Sequence, residues 1–304
     1  MNKLDSTIRE EKMRYNRMME NLETYMKENS IKDIKSITQD DLDNIVLKSK
    51  NKVIGESRSG LYNNIKIINQ ILKESGSNIE LNSSDYVDKL KFNEDKYFTR
   101  KEIREICDLF TNSQDKFIVY ALWNGIMGKD YEDLLNLKIE DIVYDENGNP
   151  KYLKVKNNRV ECDEYMQEIL KDTLEDDYYE TYNNTNSGIL GFELNMNSPY
   201  IIKGKPSKRN NNGLDPMRRV GIQTRLKRLT EMFRDTDIRE VHLTGKTLER
   251  SGVMFDMFLK EAYDQVEWTI EEVTKYLELK CIKGSVNDIY RAYHQKYHES
   301  TVLE

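Results

Sequence analysis

The sequence predicts a mainly α-helical protein with one small antiparallel β-sheet, divided into two domains. Only four prolines and 14 glycines occur among 304 residues, which leaves long uninterrupted segments for helices. Apolar residues recur at helical spacing in the longer segments, whereas one stretch near the middle has short strand-like runs separated by turn residues. A chain of this length can form two domains that each bury their own core.

Residues 1–76 are predicted to form the first, helical domain. Thr7–Asn29 is a long amphipathic segment, and Ser36 or Thr38 then provides the N-cap of a second helix. Gly76 ends a third helix. The buried face of that third helix is predicted from apolar residues at i, i+4, i+7 and i+11, namely Leu61, Ile65, Ile68 and Leu72.

The polar segment 77–96 is predicted as the interdomain linker, and residues 97–304 as the second domain. Thr99 and Glu102 have the spacing of a capping box, so a helix is predicted to begin at Thr99. Phe117–Met127 is apolar throughout and predicts a buried helix.

Three short strands are predicted after this helix. They are Ile139–Tyr144, Lys151–Val155 and Arg159–Cys162. Asn147 and Gly148 favour a positive φ and predict a hairpin turn between the first two strands. Asn157 and Asn158 are predicted to join the second pair.

Charge is distributed unevenly along the chain, although the formal net charge is only −7. Glu161–Glu180 is acidic, whereas the segment 203–239 has eleven cations against four anions, a local charge of 11 − 4 = +7. Its cations are Lys203, Lys205, Lys208, Arg209, Arg218, Arg219, Arg225, Lys227, Arg228, Arg234 and Arg239. Such a density neutralises several DNA phosphates, although a solvated face balanced by the acidic segment is the alternative.

The basic segment is predicted to contain a helix that begins with Asp215 as N-cap and Pro216 at the first helical position. The buried stripe of this helix consists of Ile222, Leu226, Leu229 and Phe233. Arg225 and Arg228 lie off that stripe, so both are expected to face solvent and DNA.

Neither a metal, a cofactor nor a membrane is expected as a partner. Cys107, Cys162 and Cys281 are far apart and form no zinc-binding pattern. His294 and His298 have the i, i+4 spacing of a metal clamp, but a solvated helix face explains the pair better. No apolar run approaches the about 20 residues of a membrane span.

The stretch Val241-His-Leu-Thr-Gly-Lys-Thr-Leu-Glu-Arg-Ser-Gly-Val-Met-Phe resembles the second signature box of the tyrosine recombinases, the phage integrase family, which reads His-x-x-Arg-His. The matching positions are Lys246, Glu249 and Arg250. The resemblance implies that Glu249 reverses the charge where a recombinase arginine binds phosphate. Ser251 and Gly252 are expected to allow a neighbouring element to approach this helix closely.

Other family positions are degenerate too. The helix junction 124–130, where the family has its first arginine, contains Lys129 but no arginine. Lys156 lies beside a hairpin turn, near the place of the family's catalytic lysine. Tyr293 is nearest to the nucleophile, with Tyr290 one turn earlier, and its hydroxyl is expected to be exposed.

The resemblance implies a two-domain, tyrosine-recombinase-like clamp, with a helical core-binding domain and a catalytic-like domain that has lost strand transfer. No residue is therefore predicted to be catalytic, and the chain is expected to bind double-stranded DNA specifically. It resembles the master repressors of SPbeta-like Bacillus prophages, which maintain lysogeny. This resemblance implies a location with the nucleoid in a bacterial cytoplasm.

Fourteen residues are predicted to contact DNA: Arg58, Lys66, Lys156, Arg159, Lys203, Lys205, Lys208, Arg209, Arg218, Arg219, Arg225, Arg228, Lys246 and Arg250. Self-association on DNA and a protein antagonist of unknown identity are further candidate interactions. Two other functions stay open. One is a divergent active recombinase that uses the residues Lys129, Lys156, Lys246, Arg250 and Tyr293. The other is a protein-interaction scaffold.

Overall fold

The computed structural model describes residues 3–48, 58–87, 96–156, 158–181, 190–233, 242–282, 284 and 286–299. The chain divides into two compact units, Met1–Asn93 and Glu94–Glu304. Most of the described residues are helical, and the described strands form two small antiparallel sheets. None of the helices in the described ranges combines the length and apolarity that a membrane crossing needs.

The first unit is helical in the ranges that the structure describes. Its helices are α1 (Lys3–Glu28), α2 (Gln39–Lys48), α3 (Arg58–Glu74) and the short α4 (Ser84–Val87). The stripe predicted on α3 is buried in the core of this unit, together with Leu22 of α1 and Leu42 of α2. Because each helix buries one face and exposes the other, the amphipathic periodicity of the sequence accounts for this unit.

The ends of α2 and α3 follow local side-chain chemistry. Of the two candidate caps, Thr38 begins α2: its Oγ1 accepts from the Asp41 N–H at 3.2 Å, and its own N–H donates to Asp41 Oδ2 at 2.9 Å. Ser36 instead closes a 3₁₀ turn whose cap is Asp33. Gly76, with a φ of 76°, ends α3 as predicted.

Part of the predicted linker 77–96 belongs to the core of the first unit. Leu81 and Tyr86 are buried there. The Asn69 side chain accepts from the Leu81 N–H at 2.9 Å and donates to its carbonyl at 2.8 Å. The linker prediction is therefore corrected over this stretch, because Ile79, Leu81 and Tyr86 in an otherwise polar segment pack against the core.

The second unit is built around α6, whose side chains from Phe117 to Leu122 are completely buried. Its helices are α5 (Arg100–Asp108), α6 (Ser113–Trp123), α7 (Glu132–Leu135), α8 (Glu164–Glu175), α9 (Arg219–Met232), α10 (Gly245–Asp264), α11 (Ile270–Leu279) and α12 (Val286–His294). Thr99 and Glu102 form the predicted capping box at the start of α5. The helix predicted to reach Met127 stops at Trp123, because Gly125 adopts a left-handed conformation.

The three predicted strands are present as one antiparallel sheet in the order β1-β2-β3, but the first is shorter than predicted because Ile139–Asp141 forms a 3₁₀ helix. They are β1 (Ile142–Tyr144), β2 (Pro150–Val155) and β3 (Asn158–Glu161). Val155 pairs with Asn158, so Asn158 lies in a strand and the predicted Asn157-Asn158 turn is wrong. The sequence did not indicate the second hairpin, formed by β4 (Tyr178–Thr181) and β5 (Leu190–Glu193).

Helix α10 packs unusually close to the end of α6. A Cβ atom at Gly252 would lie 1.7 Å from the Trp123 carbonyl oxygen, so only glycine fits. The adjacent Ser251 is buried, donates to the Thr247 carbonyl at 2.7 Å and accepts from the Phe98 N–H at 3.0 Å. The predicted close approach at these two residues is confirmed, and it fixes α10 against the central helix.

Candidate nucleic-acid interface

The loop before α9 folds into a turn held by Asn210. Its Oδ1 accepts from the backbone N–H groups of Ser207 at 2.9 Å and Gly213 at 3.1 Å. The Asp215 N–H then donates to the Asn210 carbonyl at 3.2 Å. Asp215 therefore belongs to this turn and not to a helix cap, and α9 begins four residues later, at Arg219.

The predicted apolar stripe of α9 is confirmed, since Ile222, Leu226, Leu229 and Phe233 are all buried. Seven cations in the described part of the segment are exposed. They are Lys205, Lys208, Arg209, Arg218, Arg219, Lys227 and Arg228. Hereafter these seven side chains are called the basic face. The predicted cations Arg234 and Arg239 lie outside the described residues.

Lys203 is not part of the basic face, because only 1% of it is exposed. Its ammonium group donates to the carbonyls of Leu174 and Asp176 at 3.0 Å, and to that of Thr173 at 3.4 Å. Burial lowers the pKa of this ammonium group, which the nearby acids partly oppose. The predicted DNA contact is wrong: Lys203 caps the C-terminus of α8, where helix carbonyls lack internal partners.

Arg225 is also buried, with 6% exposed, and its prediction as a DNA contact is wrong. Its Nη1 lies 3.5 Å from Asp115 Oδ1, and its guanidinium carbon lies 4.1 Å from the centre of the Tyr179 ring. The Tyr179 hydroxyl donates to Asp115 at 2.9 Å. Burial raises the pKa of Asp115, while the charge of Arg225 acts against this rise. The group links α9, α6 and β4 through one buried charge pair.

The junction between α6 and α7 has a strained backbone. Asp130 and Tyr131 have φ values of 57° and 68°, a left-handed conformation that non-glycine residues rarely adopt twice in succession. The Tyr131 hydroxyl accepts a hydrogen bond from the Gly245 N–H at the start of α10. Asp130 Oδ1 lies 2.8 Å from Arg219 Nη1, and Lys129 is exposed.

Lys156 occupies the turn between β2 and β3, with a φ of 50°. Its ammonium nitrogen lies 2.6 Å from Asp133 Oδ1 and 3.7 Å from Glu132 Oε2. The hydrogen bond to Asp133 raises the pKa of Lys156. On β3, the exposed Arg159 pairs with Glu161 at 3.0 Å. Both predicted DNA contacts are thus on the surface, but each is already paired with a carboxylate.

The second signature box, at the start of α10, presents both cationic and anionic side chains. Lys246 is exposed, whereas Glu249 and Arg250 are half-buried. Burial raises the pKa of Glu249, and the charges of Arg250 and Lys246 limit the rise. A Cβ atom at Gly284 would lie 2.7 Å from Arg250 Nη2, so the guanidinium group rests against Gly284. The fold thus brings Arg250 of the second signature box against Gly284, which lies two positions before α12, the helix that contains Tyr293.

Tyr293 is completely buried, which contradicts the expected exposed hydroxyl. The hydroxyl donates to Glu261 Oε2, and burial together with this carboxylate raises the pKa of Tyr293 above its ordinary value. His298 Nε2 lies 3.3 Å from the same Glu261 oxygen. Among the described residues, no group of three or more His, Cys, Asp or Glu side chains is placed to hold a metal ion.

In the first unit, Lys66 is exposed on α3. Arg58 begins the same helix, but its side chain lies outside the described residues. Sequence reasoning missed the carboxylates Asp130, Glu132 and Asp133, which pair with cations from two other elements. Their clustering after Lys129 was visible in the sequence, but nothing there indicated which cations they contact.

A family model and a solved structure match this chain. Residues 97–283 match the family model described as MrpR, C-terminal catalytic domain. A crystal structure of XerA recombinase matches with a TM-score of 0.40 and 15% identity, covering 98% of this chain and 93% of that chain. No curated protein matches.

The predicted fold class, mainly helical with a small antiparallel sheet and tyrosine-recombinase-like, is confirmed. The family model covers more than half of the 304 residues. The chain therefore belongs to the family of the MrpR C-terminal catalytic domain.

Proposed function

We propose that this protein binds double-stranded DNA sequence-specifically, without cutting it, and represses transcription. The observation that carries the proposal is the basic face, in which seven exposed cations follow one another on a single turn and helix while the apolar side of α9 is buried. Such a surface can neutralise several backbone phosphates at once.

The helix also offers side chains that can read bases. Gln223 and Thr224 are exposed along α9 beside the cations. Glutamine recognises adenine through paired hydrogen bonds in the major groove, and a threonine hydroxyl can hydrogen-bond to base edges there. This combination of phosphate-binding and base-reading side chains on one helix supports sequence-specific binding rather than general charge attraction.

Absence of cleavage is supported by the chemistry around the family boxes. Tyr293 is buried and its hydroxyl donates to Glu261, so it has no access to a phosphate. Burial and this carboxylate raise the pKa of Tyr293, which opposes formation of the nucleophilic phenolate near neutral pH. Glu249 puts a carboxylate beside Arg250 where a developing phosphorane would need positive charge. Lys156 is held by Asp133.

Repression is the use of DNA binding that these features support best. A protein that binds a specific site without cutting can block transcription simply by occupying it. The matched family model is described as a catalytic domain. In our proposal this chain retains the DNA-binding scaffold of such a domain and, as in the prophage repressors that its sequence resembles, uses it to prevent transcription.

The experiment compares native and denaturing conditions on the same labelled duplex, after repeated selection of bound sequences from a random pool. We expect enrichment of one sequence motif and a shift of the duplex in native gels. After denaturation we expect no covalent adduct between protein and DNA. An adduct that survives denaturation and disappears in Tyr293→Phe would identify an active recombinase. If no duplex binds at any salt concentration, the protein is a scaffold. A reporter placed behind the enriched motif then tests repression.

A further inference from the structure

We infer that the carboxylates of the α6–α7 junction hold Arg219 and Lys156 in intramolecular pairs and thereby limit sequence-independent binding to the DNA backbone. The inference rests on the proposed DNA-binding function and identifies Asp130 and Asp133 as residues that determine specificity. They act through the cations that they contact, and not by touching DNA.

The two pairs converge on one short segment. Asp130 Oδ1 contacts Arg219 Nη1 at 2.8 Å, and Asp133 Oδ1 contacts the Lys156 ammonium at 2.6 Å. Glu132 lies 3.7 Å from the same ammonium. The four residues 130–133, at the end of the junction and the start of α7, thus carry three carboxylates that neutralise cations from the start of α9 and from the β2–β3 turn.

Both cations are accessible to phosphate. Arg219 and Asp130 are each about half exposed, and so is Lys156, whereas its partner Asp133 is only 16% exposed. An exposed ion pair such as Asp130–Arg219 contributes little to folding stability. A phosphate must nevertheless displace a carboxylate before it can contact either cation.

The backbone shows that Asp130 is held in place for this contact. Its left-handed φ of 57° costs conformational free energy, and Tyr131 continues the strain with its hydroxyl bonded at the start of α10. The surrounding structure therefore positions the carboxylate independently of Arg219. Unpaired members of the basic face, such as Arg228, have no such competitor in the ion pairs that the structure gives.

The consequence is a separation of two kinds of binding. Attraction to the DNA phosphates increases with each unpaired cation and is the same for all DNA sequences. Pairing Arg219 and Lys156 with carboxylates lowers this nonspecific affinity. Contacts to the bases are unaffected, so the ratio of specific to nonspecific affinity increases.

The test is Asp130→Asn, because asparagine tolerates the left-handed backbone and keeps the side-chain shape. Binding of the full chain to a short mixed-sequence duplex is measured over a range of salt concentrations. We expect about three- to tenfold tighter binding and a slope of log K against log salt that is steeper by about one unit. Glu271→Gln is the control for charge alone, since it makes the same change of charge in α11, while Lys275 keeps its second partner Glu272.

A double mutant then distinguishes two explanations for tighter binding: release of Arg219, or loss of repulsion between Asp130 and the DNA phosphates. In the background of Arg219→Ala, Asp130→Asn should no longer tighten binding. An equal gain in both backgrounds, or an equal gain in Glu271→Gln, would overturn the inference. If Asp130→Asn unfolds, Asp133→Asn tests the Lys156 pair in the same way against Lys156→Ala. Parent protein that binds no duplex would instead refute the proposed function itself, and the inference with it.

Discussion

Arg225 and Arg228 lie three residues apart on the same helix, yet their environments are opposite. Arg225 is buried between Asp115 and the Tyr179 ring, whereas Arg228 is exposed on the basic face. Lys203 and Lys205 repeat the contrast at the other end of the segment, since the first is buried against helix carbonyls and the second is exposed.

The difference teaches that a high density of cations in a sequence is not a measure of its surface charge. A buried cation needs hydrogen-bond acceptors in place of water. Asp115 and the Gln114 side chain supply them for Arg225, and three backbone carbonyls supply them for Lys203. An exposed cation needs only water until a phosphate arrives. The two kinds of cation predict different phenotypes: loss of stability for one and loss of DNA affinity for the other.

Arg225→Ala should have the largest effect. It leaves Asp115 buried without its cation, which costs about 3–5 kcal/mol of unfolding free energy. Urea denaturation of the full chain measures this loss, and binding assays below the transition should show that DNA affinity per folded molecule changes little. If the variant is as stable as the parent, the buried pair of Arg225 with Asp115 does not stabilise the fold, and Arg225 would again be a candidate DNA contact.

Lys203→Met should come second, at about 2–3 kcal/mol. The methionine retains much of the apolar stem but leaves the carbonyls at the end of α8 without their donor. Lys205→Met is the matched control, because that side chain is exposed and should cost little stability. Equal stability losses in the two variants would remove the distinction between buried and exposed lysines.

Tyr293→Phe should cost about 1–2 kcal/mol, because a buried hydroxyl bond to Glu261 is lost. Burial and Glu261 raise the pKa of Tyr293, so its contribution is complete below its unfolded pKa of about 10 and is lost as the pH rises above that value. The variant should therefore lose less stability than the parent in strongly alkaline solution. Tyr290→Phe, whose ring is only half-buried, should match the parent in both measurements.

Arg228→Ala should have the smallest effect on stability, less than about 0.5 kcal/mol, as for most exposed positions. Its effect should instead appear in DNA binding, with a slope of log K against log salt that is shallower by about one unit. Arg219→Ala should change the slope less, because Asp130 already neutralises that cation. If the two variants weaken binding equally, the paired and unpaired members of the basic face are equivalent.

Features that depend on neighbouring residues were predictable from the sequence. Thr99 and Glu102 form their capping box because both partners lie within one turn. The apolar stripe of α9 is buried because helical periodicity places its members on one face. Gly252 admits the Trp123 carbonyl because no side chain competes for the space. In each case the controlling interaction is local or depends on a single small residue.

Features that depend on distant residues were not predictable in the same way. Asp215 satisfies the sequence rules for an N-cap, but its N–H donates to the Asn210 carbonyl, which makes Asp215 part of the preceding turn. Tyr293 was expected to expose its hydroxyl, but it packs into a core and meets Glu261 from α10, which lies 32 positions earlier in the chain. In both cases a rule based on neighbouring residues gave the wrong answer, because contacts between separate elements determined the final arrangement.

The amino-acid order alone accounts for the helices, the three-stranded sheet and the position of the family boxes, because these depend on short-range periodicity and turn chemistry. It also locates the positive charge. Which cations face solvent depends on partners far away in the chain, since Asp115 lies 110 positions from Arg225 and Asp133 lies 23 positions from Lys156. Burial and ion pairing are properties of the folded packing, so the division of the basic segment into structural and DNA-facing cations emerges only there.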